Sequence, residues 1–294
     1  MRHHFADFLD RENDYWTIVP NVERYSYSLD TNIDDKTKVK IVTLNKNDKN
    51  WKQVFDFLNI EEITLDEPNK EQVESLKKFR YIKRLRISFL KINDIEFISN
   101  LANLEELVLE YVSGFSDLSP LRKLTKLKSL HFENLRKVSN FDGLKGINNL
   151  KYLKIDGTLD WNQPIESFSF LEGLPNLEVL ALGFIINKND YPTFLPALKL
   201  YNLKQIKIGM ATLETKEYAF LETALPKVKC LNFGNTLWTP TYQINDKSTE
   251  FIGKGKRSLS INSPNYEGKV SQFLEEYENY KIEAKKILET YFTS

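Results

Sequence analysis

Few residues in this sequence could act as nucleophiles, general bases or metal ligands in a recognisable pattern. The chain of 294 residues holds three histidines, His3, His4 and His131, and a single cysteine, Cys230. One cysteine permits no intrachain disulfide and no cysteine-based metal site. The sequence contains no glycine-rich dinucleotide motif, phosphate-binding loop, His-Glu-x-x-His or Gly-x-Ser-x-Gly pattern. It therefore predicts a protein that is not an enzyme and that needs no cofactor or metal.

One short segment, from Gly253 to Arg257, is dense in positive charge. Its sequence, Gly-Lys-Gly-Lys-Arg, could surround an anion with three cations and with the backbone N–H groups of the glycines. The spacing matches no phosphate-loop motif, however, and favours a solvated loop.

Lys and Arg together number 41, as do Asp and Glu, so the formal net charge is zero. Such an even balance argues against a general nucleic-acid-binding protein.

An internal repeat supplies the elements that must position any site. The pattern apolar-x-x-apolar-x-apolar occurs nine times, beginning at positions 39, 60, 82, 104, 127, 150, 177, 203 and 228. Successive copies are 21, 22, 22, 23, 23, 27, 26 and 25 residues apart. The period of two predicts a short strand, and the spacing of three and four that follows predicts a helical or 3₁₀ return. A regular repeat of this length is typical of a solenoid.

These repeats resemble the leucine-rich-repeat family. Copies such as Leu104-x-x-Leu107-x-Leu109, with the Leu-Ser-Pro-Leu turn that begins at Leu118, are similar to the short repeats of internalins and of a protein phosphatase regulatory subunit. The later copies resemble the longer repeats of the family. The resemblance implies an α/β solenoid with a curved parallel sheet on its concave side, 3₁₀ or α segments on its convex side, and a cap at each end. One departure is that the family's usual Asn, three residues after each triplet, is replaced, which leaves the loop geometry there open.

The extent of the repeats predicts the domain boundaries. Residues 1–38 are expected to form an N-terminal cap, 39–240 about nine repeats, and 241–294 a connector and a capping helix. In the cap, the alternating segment from Tyr25 to Leu29 predicts a strand that pairs with the first repeat. The C-terminal helix carries an apolar stripe made of Val270, Phe273, Tyr277, Tyr280, Ala284, Ile287 and Tyr291. We expect this stripe to pack on the last coil; the alternative is a dimer seam of a structural or self-assembling protein.

The positions between the apolar anchors face away from the core and should form the concave surface that binds a partner. Acidic residues cluster there over three adjacent coils, and aromatic residues, including Phe89, flank them. Gly183, Gly209 and Gly234 stand in one row and leave room for a partner to approach the backbone. The candidate partner-binding residues are Glu106, Glu110, Tyr111, His131, Glu133, Tyr152, Lys154, Asp156 and Phe184.

An acidic concave patch predicts a protein partner with a basic surface, because opposite potentials raise association rates. The sequence is interpreted as a monomeric, non-catalytic protein-binding module, and the family resemblance implies an inhibitor or immunity-type protein. We expect no nucleic-acid or membrane partner, since no apolar run approaches the roughly 18 residues of a membrane helix. The N-terminus lacks the apolar region of a signal peptide, which predicts a cytoplasmic location.

Overall fold

The computed structural model describes residues 8–12, 15–19, 33, 35–234, 236–238 and 247–293. The strands in these ranges are β1 (Phe8–Glu12), β2 (Tyr15–Val19), β3 (Ile41–Asn45), β4 (Glu62–Asp66), β5 (Arg84–Ser88), β6 (Glu106–Glu110), β7 (Ser129–Glu133), β8 (Tyr152–Asp156), β9 (Gln163–Ile165), β10 (Val179–Gly183), β11 (Ile185–Asn187), β12 (Gln205–Ile208), β13 (Leu237–Trp238), β14 (Ser248–Phe251) and β15 (Leu259–Ser260). The α-helices are α1 (Lys70–Ser75), α2 (Thr215–Ala224) and α3 (Tyr266–Thr293). Short 3₁₀ helices span Lys36–Lys38, Trp51–Asp56, Leu76–Lys78, Glu96–Asn100, Ser119–Lys123, Asp142–Leu144, Ser169–Gly173 and Leu195–Lys199.

Strands β3 to β8, β10 and β12 form one parallel sheet in which sheet neighbours come from successive repeats. The register places equivalent residues side by side, so that Leu107 pairs with Leu85 on one side and with Leu130 on the other. Parallel neighbours require a return crossover, and most of these returns contain one of the short 3₁₀ helices. The predicted α/β leucine-rich-repeat solenoid is therefore confirmed.

The apolar anchors of the triplets fill a continuous core between the sheet and the returns. Leu107, Leu130 and Leu153 have no exposed surface. On the return side of the later repeats, phenylalanine rings meet from coil to coil, and the ring centroids of Phe168 and Phe194 are 4.3 Å apart. Full burial of one such side chain contributes about 1.5–3 kcal/mol. Each coil obtains this burial only by stacking on its neighbours, which makes the solenoid cooperative.

A ladder of asparagine amides joins neighbouring coils at the start of the strands. Asn103 donates from its side chain to a carbonyl of the previous coil at 3.0 Å, and Asn149 and Asn202 do the same at 2.5 and 2.9 Å. Each of them immediately precedes the first apolar residue of its triplet. At the opposite edge, where the family usually has Asn, buried apolar residues such as Leu90 and Val112 occupy the loop. The amide ladder thus lies at the other edge of the sheet.

The ninth triplet, unlike the other eight, does not form a strand of the parallel sheet. Lys229 makes a single bridge to Gln205, and Leu231 is 84% exposed. The side-chain amide of Asn232 donates to the carbonyl oxygen of Ile208 at 2.5 Å, where a ninth strand would continue the backbone ladder. Cys230, which stands between the first two apolar residues of this triplet, lies half-buried beside the turn.

The C-terminal stripe forms α3, a helix of 28 residues that packs against α2. Phe273, Tyr277 and Ala284 are buried, and the hydroxyl of Tyr277 donates to Glu222 Oε2 at 2.9 Å. The predicted capping helix is therefore confirmed, and its stripe is used within the chain.

Near the N-terminus, β1 and β2 form an antiparallel hairpin. The strand predicted from Tyr25 to Leu29, and likewise His3 and His4, lie outside the described residues. In the ranges that the structure describes, no helix has the length and apolar character needed to span a membrane.

Candidate protein-binding surface

The sheet face turned away from the core, here called the concave face, carries the predicted rows of side chains. Strand pairing places Arg84 beside Glu106, and Arg86 beside Val108. Further along, His131 lies beside Lys154, which in turn lies beside Ala181. The pattern of anchors therefore predicts correctly which residues share this face on the eight strands.

Four charged residues on β5 and β6, Arg84, Arg86, Glu106 and Glu110, form what we call the arginine–glutamate cluster. Arg86 Nη2 lies 2.5 Å from both carboxylate oxygens of Glu110, and Arg86 Nε donates to Oε2 at 3.0 Å. Arg86 is 2% exposed and Glu110 is 5% exposed. Arg84 Nε donates to Glu106 Oε1, also at 3.0 Å. Charge-assisted contacts with two or more N–H groups are among the stronger hydrogen bonds in proteins.

These pairs change the acidic patch that the sequence predicts. Glu106 and Glu110 are buried and neutralised by arginines of the preceding strand, so they do not contribute exposed negative charge. Glu133 and Asp156 are half-buried, and Lys154 Nζ lies 3.2 Å from Asp156 Oδ2. Burial raises the pKa of both remaining carboxyl groups, and repulsion from neighbouring acids raises that of Glu133 further. The exposed patch is therefore smaller than the sequence suggests.

His131 is a buried imidazole on this face. Burial lowers its pKa well below the ordinary value of 6.5, and the positive charges of Lys154 and Arg86 lower it further. Its Nε2 atom and the hydroxyl of Tyr152 have no hydrogen-bond partner within the described residues. Because neutral imidazole is favoured here, His131 contributes shape and hydrogen-bonding capacity to the surface at neutral pH.

Three exposed aromatic residues, Phe89, Tyr111 and Phe184, occupy the position just after their strands; we call them the aromatic rim. Their exposed fractions are 48%, 38% and 44%. The rings of Phe89 and Tyr111 are stacked, with centroids 4.9 Å apart and planes inclined by 22°. Phe89 was not among the candidate residues and joins them through this stack. Rigid aromatic side chains of this kind are enriched at the energetic centres of protein interfaces.

The backbone of the aromatic rim is held in the left-handed region. The φ angles of Phe89, Tyr111 and Phe184 are 56°, 51° and 43°. Bulky residues rarely adopt such angles, which cost about 1–2 kcal/mol each. The N–H of Phe89 donates to the carbonyl of Glu110 at 3.0 Å, and that of Tyr111 to the carbonyl of Glu133 at 2.9 Å. These bonds extend the sheet ladder by one residue and hold the rings at its edge.

A cavity of 580 Å³, here called the concave cavity, opens over β8, β10 and β12. Ala181, Gly183 and Gly209 form part of its wall, and their small size leaves space that long side chains fill elsewhere. Of the three glycines predicted to leave room for a partner, Gly183 and Gly209 line the cavity, the carboxylate of Asp156 lies against Gly183, and Gly234 lies beyond the last strand. The polar groups of the wall are the side chains of Tyr152, Lys154, Asp156, Gln205 and Lys207.

The nine candidate residues thus occupy three settings. Tyr152, Lys154 and Asp156 line the concave cavity, and Tyr111 and Phe184 belong to the aromatic rim. Glu106, Glu110 and His131 are buried, while Glu133 is half-buried beside them. Lys207 also lines the cavity and was not a candidate residue. Its place in the same concave row as Lys154 is the feature of the sequence that could have identified it.

No family model and no curated protein sequence matches the chain. Among solved structures, an internalin (inlF) from Listeria monocytogenes is similar, with 18% identity, 65% of this chain and 53% of that chain covered, and a TM-score of 0.45. An internalin C2 from the same species has 24% identity, coverage of 52% and 63%, and a TM-score of 0.38. A leucine-rich-repeat protein from Leptospira interrogans has 14% identity, coverage of 66% and 60%, and a TM-score of 0.35.

The chain spans about half the length of the first of these structures, 53%. Its own geometry carries the classification, through eight parallel strands, short 3₁₀ returns and shared register. The chain folds as a leucine-rich-repeat solenoid.

Proposed function

We propose that this protein is a non-catalytic binding module that docks a partner protein on its concave side, through the aromatic rim and the concave cavity. The observation that carries the proposal is the exposed stack of Phe89 and Tyr111. The left-handed backbone itself belongs to the repeat turn, since Glu67 and Asn134 adopt it at the same position, but folding alone gains little from aromatic rings that stay half exposed to water. Contact with a partner would remove the exposed surface of these rings from water.

The partner proposed from the sequence has a basic surface. Within the arrangement described above, Glu133 is the carboxylate of the predicted patch left to meet it, because Glu106 and Glu110 are paired with arginines and Asp156 with Lys154. We assign to charge the smaller contribution, which is the orientation of the partner and its association rate. We assign to the aromatic rim the larger contribution, which is the binding affinity. A partner held over this face would be occluded, which is how a monomeric inhibitor or immunity-type protein acts.

The alternative, self-assembly through the C-terminal stripe, lacks a supporting observation. Phe273, Tyr277 and Ala284 are already buried within the chain. A dimer seam on this stripe would require α3 to leave α2, which would expose the same apolar surface.

Site-directed photocrosslinking in a lysate of the source cells tests the proposal. A photoreactive phenylalanine analogue replaces Tyr111 in one variant, Phe184 in a second, and Tyr201 in the matched control. Tyr201 is an exposed aromatic residue in the turn before β12. We expect one protein to crosslink at positions 111 and 184 and not at 201. Equal crosslinking at all three positions, or crosslinking at 201 alone, would contradict the proposal.

The affinity of the captured partner gives a quantitative check. Phe89→Ala/Tyr111→Ala should weaken binding at least about 30-fold, because truncation of an aromatic interface anchor costs roughly 2 kcal/mol or more. Tyr201→Ala should leave the affinity unchanged.

A further inference from the structure

A second cavity, of 170 Å³, lies beside α2 and shares no wall residue with the concave cavity. We call it the edge pocket. One wall is the segment from Ile185 to Thr193, which includes β11 and belongs to one of the longest repeats. The opposite wall is the segment from Thr212 to Glu217 at the start of α2, and Lys254 completes the lining.

The edge pocket contains three buried polar atoms without a hydrogen-bond partner in the described part of the chain. They are Tyr191 OH, Thr193 Oγ1 and Glu217 Oε2. Glu217 is only 4% exposed, and its other oxygen, Oε1, accepts the backbone N–H of Thr193 at 3.0 Å. An unsatisfied buried polar group costs about 1–3 kcal/mol, and more if charged. Most such groups in native proteins have a partner. Burial raises the pKa of Glu217, whereas the backbone and side chain of Thr193 beside its carboxylate lower it, so the three groups form one polar cluster that a bound group with hydrogen-bond donors would complete.

Two lysines add positive charge to the same lining. Lys216 Nζ lies 4.7 Å from the ring centroid of Tyr191. Lys254 belongs to the basic segment that the sequence marks as a candidate anion site. Neither lysine has an ion-pair partner among the described residues. The pocket lining therefore carries two carboxylates, Glu214 and Glu217, and two lysines. Glu217 offers an acceptor for a cationic donor, and the lysines offer positive charge for an acidic group.

The basic segment contributes one cation to the pocket, rather than a loop that surrounds an anion. The N–H groups of Gly253 and Lys254 donate to backbone carbonyls, at 2.8 and 2.6 Å, so they are unavailable to a ligand. Lys256 lies 3.7 Å from Glu276 instead. At Gly253, φ is 130° and a Cβ would lie 2.1 Å from Thr215 Oγ1, so only glycine permits the close approach that brings Lys254 to the pocket.

We propose that the edge pocket binds a small zwitterion that carries one ammonium group and one carboxylate, such as a free amino acid. The ammonium donates to Glu217 Oε2 and to the hydroxyl oxygens of Tyr191 and Thr193. The carboxylate meets Lys216 and Lys254. A volume of 170 Å³ is about six times the roughly 30 Å³ that a water molecule occupies in the liquid. This size restricts the ligand to a handful of non-hydrogen atoms.

Thermal unfolding of the purified full-length chain with a matched panel of small molecules tests the chemical class. Glycine, alanine, β-alanine and γ-aminobutyrate represent zwitterions of increasing charge separation. Methylamine represents the ammonium alone, and acetate the carboxylate alone. At about 100 times its Kd, a fitting zwitterion should raise the Tm by roughly 5 °C or more. No shift with any zwitterion would mean that water fills the pocket, and an equal shift with methylamine would show that only a cation is bound; either result overturns the proposal.

Two variants and a control then test the site. Glu217→Gln retains an oxygen that can accept the Thr193 N–H and removes the negative charge, so it should weaken binding about 10- to 150-fold. Lys254→Met should also weaken binding, while Lys256→Met, in the same basic segment, should not. Without ligand, Glu217→Gln should be at least as stable as the parent, because a buried carboxylate without a full set of partners is costly. Unchanged affinity in Glu217→Gln would overturn the assignment.

Discussion

The two ends of the concave face share one sheet and one register, yet they have opposite characters. Over β4 to β6, long charged side chains such as Arg86 and Glu110 fill the face and neutralise each other. Over β8 to β12, Ala181, Gly183 and Gly209 leave a cavity of 580 Å³. The difference shows that a concentration of charge in the sequence predicts internal pairing as readily as an exposed patch. Space for a partner arises where the same positions carry small residues.

The largest expected effect comes from breaking the charged end. Glu110→Ala leaves the guanidinium of Arg86 buried without its main partner, so the free energy of unfolding should fall by about 3–5 kcal/mol. Urea unfolding of parent and variant measures this difference. The double variant Arg86→Met/Glu110→Leu should recover most of the loss, because two apolar residues leave no unpaired charge. A loss below about 1 kcal/mol in Glu110→Ala would show that the two ends of the face do not differ as described.

A smaller effect, on the pH dependence of stability, is expected at His131, which lies between the two ends of the concave face. Its pKa is lowered in the folded protein, so the unfolded chain binds a proton first as the pH falls. The stability contributed by neutral His131 is therefore present above pH 6.5 and is lost below it, by up to about 1.4 kcal/mol per pH unit.

Urea midpoints between about pH 7 and 5.5 test this effect, with His131→Gln as the variant expected to lose the dependence. Glu133 and Asp156 act in the opposite direction, because their raised pKa values favour protonation of the folded state as the pH falls. They are present in both proteins, so the difference between parent and variant isolates His131. Identical pH slopes in the two proteins would contradict the prediction.

The smallest effect on stability is expected at the aromatic rim. Phe184→Gly removes an exposed ring and relieves a left-handed backbone, a gain of about 1 kcal/mol that the greater freedom of glycine in the unfolded chain largely offsets. Its stability should stay within about 1 kcal/mol of the parent, whereas Phe168→Ala in the core should cost about 3–5 kcal/mol. Thermal or urea unfolding of both variants makes the comparison. A large loss in Phe184→Gly would mean that this ring serves the fold.

Much of the fold could be predicted because the repeat is a local pattern. Each apolar triplet indicates one strand, and equal spacing indicates which strands are neighbours, so the concave rows were correct on all eight strands. The ninth triplet does not form the strand that the pattern predicts, because the pattern carries no information about where the sheet stops. There, the side-chain amide of Asn232 donates to the carbonyl oxygen of Ile208, and residues 231–234 form a turn.

The candidate surface was less predictable, because exposure depends on neighbouring side chains. The rows alone could not show that Glu106 and Glu110 are paired, since each arginine partner comes from the preceding strand. The stack of Phe89 on Tyr111 likewise depends on the left-handed backbone after two successive strands. Of the residues that line the edge pocket, only Lys254 was singled out from the sequence. The only other sign of the pocket in the sequence was the increase in repeat length to 27 and 26 residues.

By itself, the sequence determined the solenoid, the order of its strands, the identity of its core and the capping helix, because these follow from the period and the polarity of neighbouring residues. The tertiary structure alone decided which charges cancel and where space remains. Arg86 and Glu110 are 24 residues apart in the chain, and Tyr191, Glu217 and Lys254 come from three separate segments. Electrostatic pairing and cavity shape depend on distances in space, which a one-dimensional pattern does not specify.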